Sequence, residues 1–143
     1  MASRAAAAVG GGLVAGLVGT ASMTLAQAIE MRVTGREPSD VPGQVGSRLL
    51  GIDNTETLSR AVHWGHGLLG GAVRGGLALV GTSGPRAAVA HGATLWAADA
   101  ALYWALGIAP APWRWSRAEL ATDLLHKGLY AAVTSASYER LAR

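Results

Sequence analysis

Apolar residues gather in four long runs, which polar or proline-containing segments separate from one another. The first run, 5–31, contains an uncharged stretch from Ala5 to Ala26, which as a helix is long enough to cross ~30 Å of hydrocarbon. The other runs cover about residues 60–80, 86–108 and 117–140. This pattern predicts an all-α fold, a four-helix transmembrane bundle, in which residues 1–143 form a single polytopic membrane domain.

The connections between the runs carry turn and cap signals. The polar loop at 32–59 contains several prolines and glycines, and a short helix over 39–50 is expected at the surface, with Val45 among the residues that face the bilayer. Two prolines before the fourth run stop the preceding helix. Ser116 and Glu119 then fit a capping box, so the fourth helix is expected to begin there.

Two of the runs have an alternative interpretation. Arg4 and the apolar stretch after it also resemble a signal peptide cleaved near Ala26-Gln27-Ala28, although the stretch is longer and richer in glycine than usual. The fourth run contains Asp123 and Lys127, so an amphipathic helix lying on the bilayer is the alternative there. Their spacing of four residues allows an ion pair on one helical face, which favours a span.

The composition agrees with a membrane protein and excludes several other classes. Only 15% of the residues are charged, against ~25% in an average soluble domain. The chain has no cysteine, which excludes disulfides, thiolate metal sites and cysteine nucleophiles. The net charge is +3, and the arginines are scattered singly along the chain, so no nucleic-acid partner is expected.

Small residues form two ridges at helical spacing. One consists of Gly12 and Gly16, and the other of Gly67, Gly71 and Gly75. Glycine at every fourth position lets helix backbones approach closely. We expect one ridge to pack within the bundle and the other to be left for a second copy of the chain or a partner in a larger membrane complex.

Ionisable side chains within the runs fall at a common depth. We define side B as the membrane side on which the first run ends and the second and fourth runs begin, and side A as the opposite side. At ~1.5 Å of rise per residue, six ionisable groups lie between side B and ~14 Å below it. They come from all four runs: Glu30, His63, His66, Asp99, Asp123 and His126. Because lipid cannot solvate them, we expect them to face inward as one polar cluster.

Four further polar residues are secondary candidates. Lys127 and Tyr130 continue the polar face of the fourth run, whereas Arg74 and His91 lie nearer side A. Arg74 is expected to extend to the side A interface, and His91 to donate a hydrogen bond between helices. Glu139, near a helix end, is expected to face headgroups.

Three chemistries fit the cluster. Histidine and carboxylate side chains serve as proton relays in membranes. His63-x-x-His66 and Asp123-x-x-His126 each place two ligands on one helical face, which suits zinc or iron, and His66 with His126 is the natural pair for haem. Such pairs also arise by chance, and no cofactor is expected. The third interpretation is structural, with hydrogen bonds that only hold the helices together.

The second half of the chain has a distinctive order of motifs: His66 with a glycine ridge after it, then Leu106–Trp113 with two prolines, then Glu119, His126 and Glu139-Arg140. This order resembles the YagU-like bacterial inner-membrane protein family, and the glycine-rich first run fits it too. The family has no assigned reaction. The resemblance therefore implies a polytopic inner-membrane protein and no catalytic residues.

We expect a small multi-pass protein of the bacterial cytoplasmic membrane that handles protons or ions through the cluster. A non-catalytic accessory or scaffold subunit of a larger membrane complex is the first alternative, and a metal- or haem-binding membrane protein is the second. The chain has no Gly-x-Ser-x-Gly elbow, phosphate-binding glycine loop or His-Glu-x-x-His motif, which argues against an enzyme.

Overall fold

A computed structural model describes residues 2–143, which form five α-helices and no strand. A single 3-10 turn, Pro112–Arg114, lies between the last two helices. The all-helical prediction is confirmed. The helices are α1 (Ala2–Thr34), α2 (Val41–Leu50), α3 (Glu56–Leu79), α4 (Gly84–Ala105) and α5 (Arg117–Leu141).

Local sequence signals account for where the long helices begin and end. The Thr55 side chain caps α3 by accepting a hydrogen bond from the backbone of Leu58. Ser116 and Glu119 form the expected capping box at the start of α5. At the end of α4 the chain turns through Gly107, whose positive φ of 65° suits glycine alone among common residues. The helices therefore agree with the four runs to within a few residues.

The four long helices run alternately up and down. In the packing of α1 on α3, Thr24 lies beside His63 and Gly12 lies beside Gly71, so the two helices are antiparallel. Tyr130 contacts Gly67 and Ser135 contacts Arg74, so α5 is parallel to α3. The α4 helix packs mainly on α5 and is antiparallel to it, because Gly84 contacts Glu139 and Asp99 contacts Lys127. The end at which α1 ends and α3 and α5 begin is side B as defined above.

The short helix α2 corrects one expectation about the first loop. The loop contains the anticipated helix, but Val45 is buried and does not face outward. Neighbouring Gly46 rests against the side chains of Leu58 and Val62 on α3. Val45 thus belongs to a small apolar contact with α3, while Leu49 and Leu50 remain exposed.

The two glycine ridges meet each other, which contradicts the prediction that one of them is left for a partner. A Cβ atom built on Gly16 would stand 2.9 Å from the Cα of Gly71, and one on Gly71 would stand 2.7 Å from the Cα of Gly16. Gly75 similarly faces the backbone of Ala8, and Gly67 faces Thr20. Both ridges take part in one close contact between α1 and α3.

The largest buried side chains of the bundle are polar. The four largest fully buried side chains are those of Arg74, His91, Thr20 and Thr134, and the apolar core is mostly alanine. Large apolar side chains point outward instead, for example Leu25, Ile29, Leu69, Val89 and Leu125. A water-soluble domain buries its large apolar residues, so this distribution is the reverse of the usual one.

By length and composition, α1 alone among the helices of residues 2–143 qualifies as a candidate membrane span. The predicted four spans are therefore not confirmed on this criterion. The helices α3, α4 and α5 each contain ionisable residues, which lower their average hydropathy although several of these groups are buried.

Candidate functional site

Three of the six predicted cluster residues meet in one ionic network, together with Lys127. His66 Nε2 lies 3.2 Å from one oxygen of Asp99, and Lys127 Nζ lies 3.1 Å from the other. Lys127 Nζ also contacts Asp123, with Nζ–Oδ1 of 3.0 Å. We call these four residues the ion cluster. Three helices contribute to it, since His66 is on α3, Asp99 on α4 and the other two on α5.

Burial differs strongly across the ion cluster. The Asp99 side chain is 4% exposed and that of Lys127 is 14% exposed, whereas His66 is 46% exposed. An isolated carboxylate at such depth would be unstable, and Asp99 is stabilised by the Lys127 ammonium on one oxygen and by contact with His66 on the other. The i,i+4 pair of Asp123 and Lys127 is the contact that the sequence spacing predicted.

Tyr103 completes the surroundings of the lysine. The ammonium group of Lys127 lies 5.1 Å from the centre of the Tyr103 ring, within the range of a cation–π interaction. Tyr103 is on α4, one turn after Asp99, so both residues face α5. The sequence interpretation did not include Tyr103, although its spacing of four from Asp99 was a usable signal.

His63 binds α1 instead of joining the ion cluster. Its Nε2 lies 2.9 Å from the hydroxyl oxygen of Thr24, and that hydroxyl donates to the carbonyl of Thr20 at 2.7 Å. Because the single hydroxyl proton of Thr24 is directed to Thr20, the His63 Nε2–H group is the donor to Thr24. His63 therefore acts as a link between α3 and α1.

Glu30 and His126 are also outside the ion cluster. Glu30 forms an ion pair with Arg36, with Nη2–Oε2 of 2.6 Å and further contacts from Nε. This carboxylate raises the pKa of the Arg36 guanidinium. His126 is buried, and its Nε2 has no hydrogen-bond partner within residues 2–143. The expected six-residue cluster is thus four separate groups at side B: the ion cluster, His63, Glu30 and His126.

A second polar layer lies in the middle of the bundle. The Tyr130 hydroxyl donates to the carbonyl of Gly67 at 2.6 Å, and His91 Nε2 donates to the carbonyl of Gly70 at 2.8 Å. Both carbonyls belong to α3, and the two rings lie 5.6 Å apart. His91 is the interhelical donor that the sequence predicted. Because Gly67 and Gly70 have no side chains, their carbonyl groups are accessible to side chains of α4 and α5.

Near side A, Arg74 forms a second charged centre and does not extend to the interface as expected. Its side chain is 1% exposed, Nη2 lies 3.0 Å from Glu139, and Nε donates to Ser135 at 3.2 Å. The guanidinium carbon lies 4.5 Å from the centre of the Tyr138 ring. Glu139 also accepts a hydrogen bond from the backbone of Gly84. Glu139 therefore binds Arg74 and does not simply face headgroups.

Sequence reasoning missed three of these partners: Ser135, Tyr138 and Glu139. Thr134 and Tyr138 follow Tyr130 at steps of four residues, so the three side chains share one buried helical face. Ser135 lies beside Thr134 on the same buried face. The i,i+4 spacing from Tyr130 was a usable signal for this face.

Residues 2–143 contain no group of three histidine, aspartate or glutamate side chains placed to hold a metal ion. His66, one of the two residues considered for haem, has its Nε2 atom directed to Asp99. The arrangement that the residues do form is a charged network, in which Lys127 lies between Asp99 and Asp123, and His66 contacts Asp99.

Comparisons of the chain with protein-family models, with curated proteins and with solved structures found no match. The resemblance to the YagU-like family therefore stays a prediction.

Proposed function

We propose that the chain is a multi-pass protein of the bacterial cytoplasmic membrane in which α1, α3, α4 and α5 all cross the bilayer. The inverted distribution of polarity supports this proposal. Large apolar side chains on every long helix are exposed, among them Leu25, Leu69, Val89 and Leu125. Lipid would cover them, whereas in water they would form large exposed apolar patches.

Average hydropathy underestimates α3, α4 and α5 because their most polar residues face one another. Arg74, His91, Asp99 and His126 are all buried. A polar group in a membrane helix is tolerated when it faces protein and is paired there. The extensive packing of α1 on α3 and α5 also supports a retained first helix over a cleaved signal peptide.

We infer that the ion cluster handles protons or small cations, and the observation that carries this inference is its charge balance. Two carboxylates and one ammonium leave one negative charge when His66 is neutral. Protonation of His66 brings the network to zero. In a low-dielectric interior an uncompensated charge is costly, so the network favours uptake of one proton or one cation.

The positions of the four groups also suit proton entry. Half-exposed His66 contacts buried Asp99, which contacts Lys127, which contacts Asp123. Each step spans about the length of one hydrogen bond, and both terminal groups are more exposed than the two between them. Towards side A, the interior continues through Tyr130 and Arg74 to Glu139, so polar groups follow one another across the bundle.

The test is proton movement in liposomes that contain the purified chain and a pH-sensitive dye, with a potassium diffusion potential as the driving force. We expect the parent protein to conduct protons, and Asp99→Asn to reduce flux to that of protein-free liposomes. Asp53→Asn makes the same chemical change at an exposed loop position and should leave the flux unchanged.

Equal flux in the parent protein and Asp99→Asn would contradict proton handling, and so would the absence of flux from the parent with either protons or alkali cations. The accessory-subunit alternative predicts that second outcome. Its sequence argument was a glycine ridge left without a partner, and both ridges are used inside the bundle.

A further inference from the structure

Two connected depressions open near side A, where the beginning of α1 and the end of α5 meet. The first has a volume of about 300 Å³, and its polar lining comes from Arg74, Thr82, Ser83, Glu139 and Arg143. The second, of about 460 Å³, is lined mainly by residues with small or apolar side chains, including Ala7, Ala8, Leu79 and Leu141, with Arg4 as its one charged residue. Ala78, Tyr138 and Ala142 line both depressions, so they form one continuous groove.

The polar part of the groove contains donors that remain unused. Arg74 is 1% exposed, and its Nη1 atom, although inaccessible to water, has no hydrogen-bond partner in the described part of the chain. A buried guanidinium N–H group without an acceptor is costly, which is why most such groups are paired. Ser83 precedes α4 as its N-cap, but its side chain makes no capping hydrogen bond within residues 2–143. An acceptor in the cavity would meet the Ser83 side chain and would lie beside the Arg74 guanidinium.

The charged side chains that line the groove favour an anionic ligand. Three arginine side chains line it, namely Arg4, Arg74 and Arg143, against the single carboxylate side chain of Glu139. Glu139 accepts from Arg74 and from the first backbone N–H of α4, where the helix dipole adds positive potential. The protein's own carboxylate thus already uses this position as an anion site.

We propose that the groove binds an acidic phospholipid. The phosphate occupies the first depression beside Arg74 and Ser83, and an acyl chain lies along the second towards Leu79 and Leu141. An anionic head joined to an apolar chain matches a depression with arginine and hydroxyl side chains that continues into one with alanine and leucine side chains, and free phosphate would fill this groove only in part. This proposal depends on the membrane placement proposed above, but not on proton handling.

The experiment measures equilibrium binding of fluorophore-tagged phosphatidylglycerol to the full chain in micelles of a neutral detergent. We expect Arg4→Gln and Arg143→Gln each to weaken binding about fivefold, the usual effect of one arginine near an anionic headgroup. Arg60→Gln and Arg117→Gln remove the same charge at side B and should leave the affinity unchanged.

A second variant should change the lipid affinity in the opposite direction. Glu139→Gln removes the negative charge that competes with the phosphate, so it should strengthen binding of the same lipid several-fold. Glu56→Gln, an exposed carboxylate at side B, is its control. Tighter binding cannot result from a misfolded protein, so this outcome separates the proposal from a general loss of structure.

Three results would overturn the proposal: equal affinity for tagged phosphatidylcholine, equal losses in the side A and side B arginine variants, or complete displacement of the lipid by millimolar inorganic phosphate. The last result would assign the cavity to free anions. Because the assay contains no proton gradient, failed binding with intact proton flux contradicts only the lipid site. Intact binding without flux contradicts only the proposed function.

Discussion

Lys127 is the residue on which the electrostatics of the ion cluster depend. It is the only lysine in the chain, and it lies between two carboxylates. Without it, Asp99 would retain only His66 as a partner and Asp123 would lose its close cation. A compact ammonium group suits this position because it reaches both carboxylates from one helix.

We therefore expect Lys127→Met to lower the free energy of unfolding by about 3 kcal/mol, because it leaves a buried carboxylate poorly compensated. Adding Asp99→Asn to that variant should restore part of the loss, since the uncompensated charge is then removed. Thermal unfolding of both variants in the same detergent measures these two changes in stability. The exposed pair of Arg60 and Glu56 provides the control, and Arg60→Met should change stability little. A double variant less stable than Lys127→Met would show that the charge is not the cause.

At the scale of helices, the contact between α1 and α3 depends on glycines, which have no side chain to hold the two backbones apart. Gly12, Gly16, Gly71 and Gly75 bring the two backbones together, and any side chain there would strike backbone atoms that cannot move aside. Close backbone approach increases van der Waals contact, which is the main source of helix association in lipid. The same glycines expose the carbonyls of α3 that Tyr130 and His91 use.

Gly71→Ala is expected to destabilise the bundle by about 1–3 kcal/mol, the range for inserting a methyl group into a closed contact. Gly76→Ala is the matched control on the same helix, because a Cβ atom there meets nothing within 4 Å among residues 2–143. It should leave stability unchanged or raise it slightly through helix propensity. Unfolding in mixed micelles with increasing denaturing detergent measures the difference. Equal effects of the two substitutions would argue against the glycine contact.

At the scale of the whole molecule, the polarity of the inside and the outside is reversed relative to a water-soluble bundle. Buried Arg74, His91 and Asp99 are paired with groups on other helices, while exposed leucine, valine and tryptophan cover the outside. Trp104 and Trp113 are both strongly exposed near side B, where tryptophan suits a headgroup boundary.

A four-span topology and a one-span topology place the loops on different sides of the membrane. If all four long helices cross the bilayer, Asp53 and Thr82 lie on opposite sides of it, whereas both lie on the same side if α1 alone crosses. Because the chain has no cysteine, Asp53→Cys and Thr82→Cys can be labelled separately with a membrane-impermeant maleimide in intact and permeabilised cells. We expect only one of the two to react in intact cells.

Val18→Cys, at an exposed position in the middle of α1, is the control for lipid exposure and should stay unlabelled in both preparations. Reaction of positions 53 and 82 from the same side would exclude the four-span topology. The ion cluster and the lipid groove would then lie in water, and both proposals that place them in a membrane would fail.

Features that depend on neighbouring residues could be predicted from the sequence alone. Apolar runs, prolines and the Ser116 capping box located the helices, and the spacing of Asp123 and Lys127 predicted their ion pair. The alternating direction of the long helices also followed, because consecutive runs that were expected to cross one membrane must reverse direction. These predictions succeed because rise per residue and helical period are constant, so separation along the chain gives separation in space.

Only the tertiary structure decided which groups meet across helices. It joined His66 and Asp99, directed Glu30 to Arg36, left His126 apart, and brought Arg74 to Glu139. These outcomes depend on how far each helix is rotated about its axis, and for α1 and α3 the closed glycine contact restricts that rotation. A rotation of one residue, ~100°, moves a side chain from the interior to the surface, and no local pattern specifies it to that accuracy.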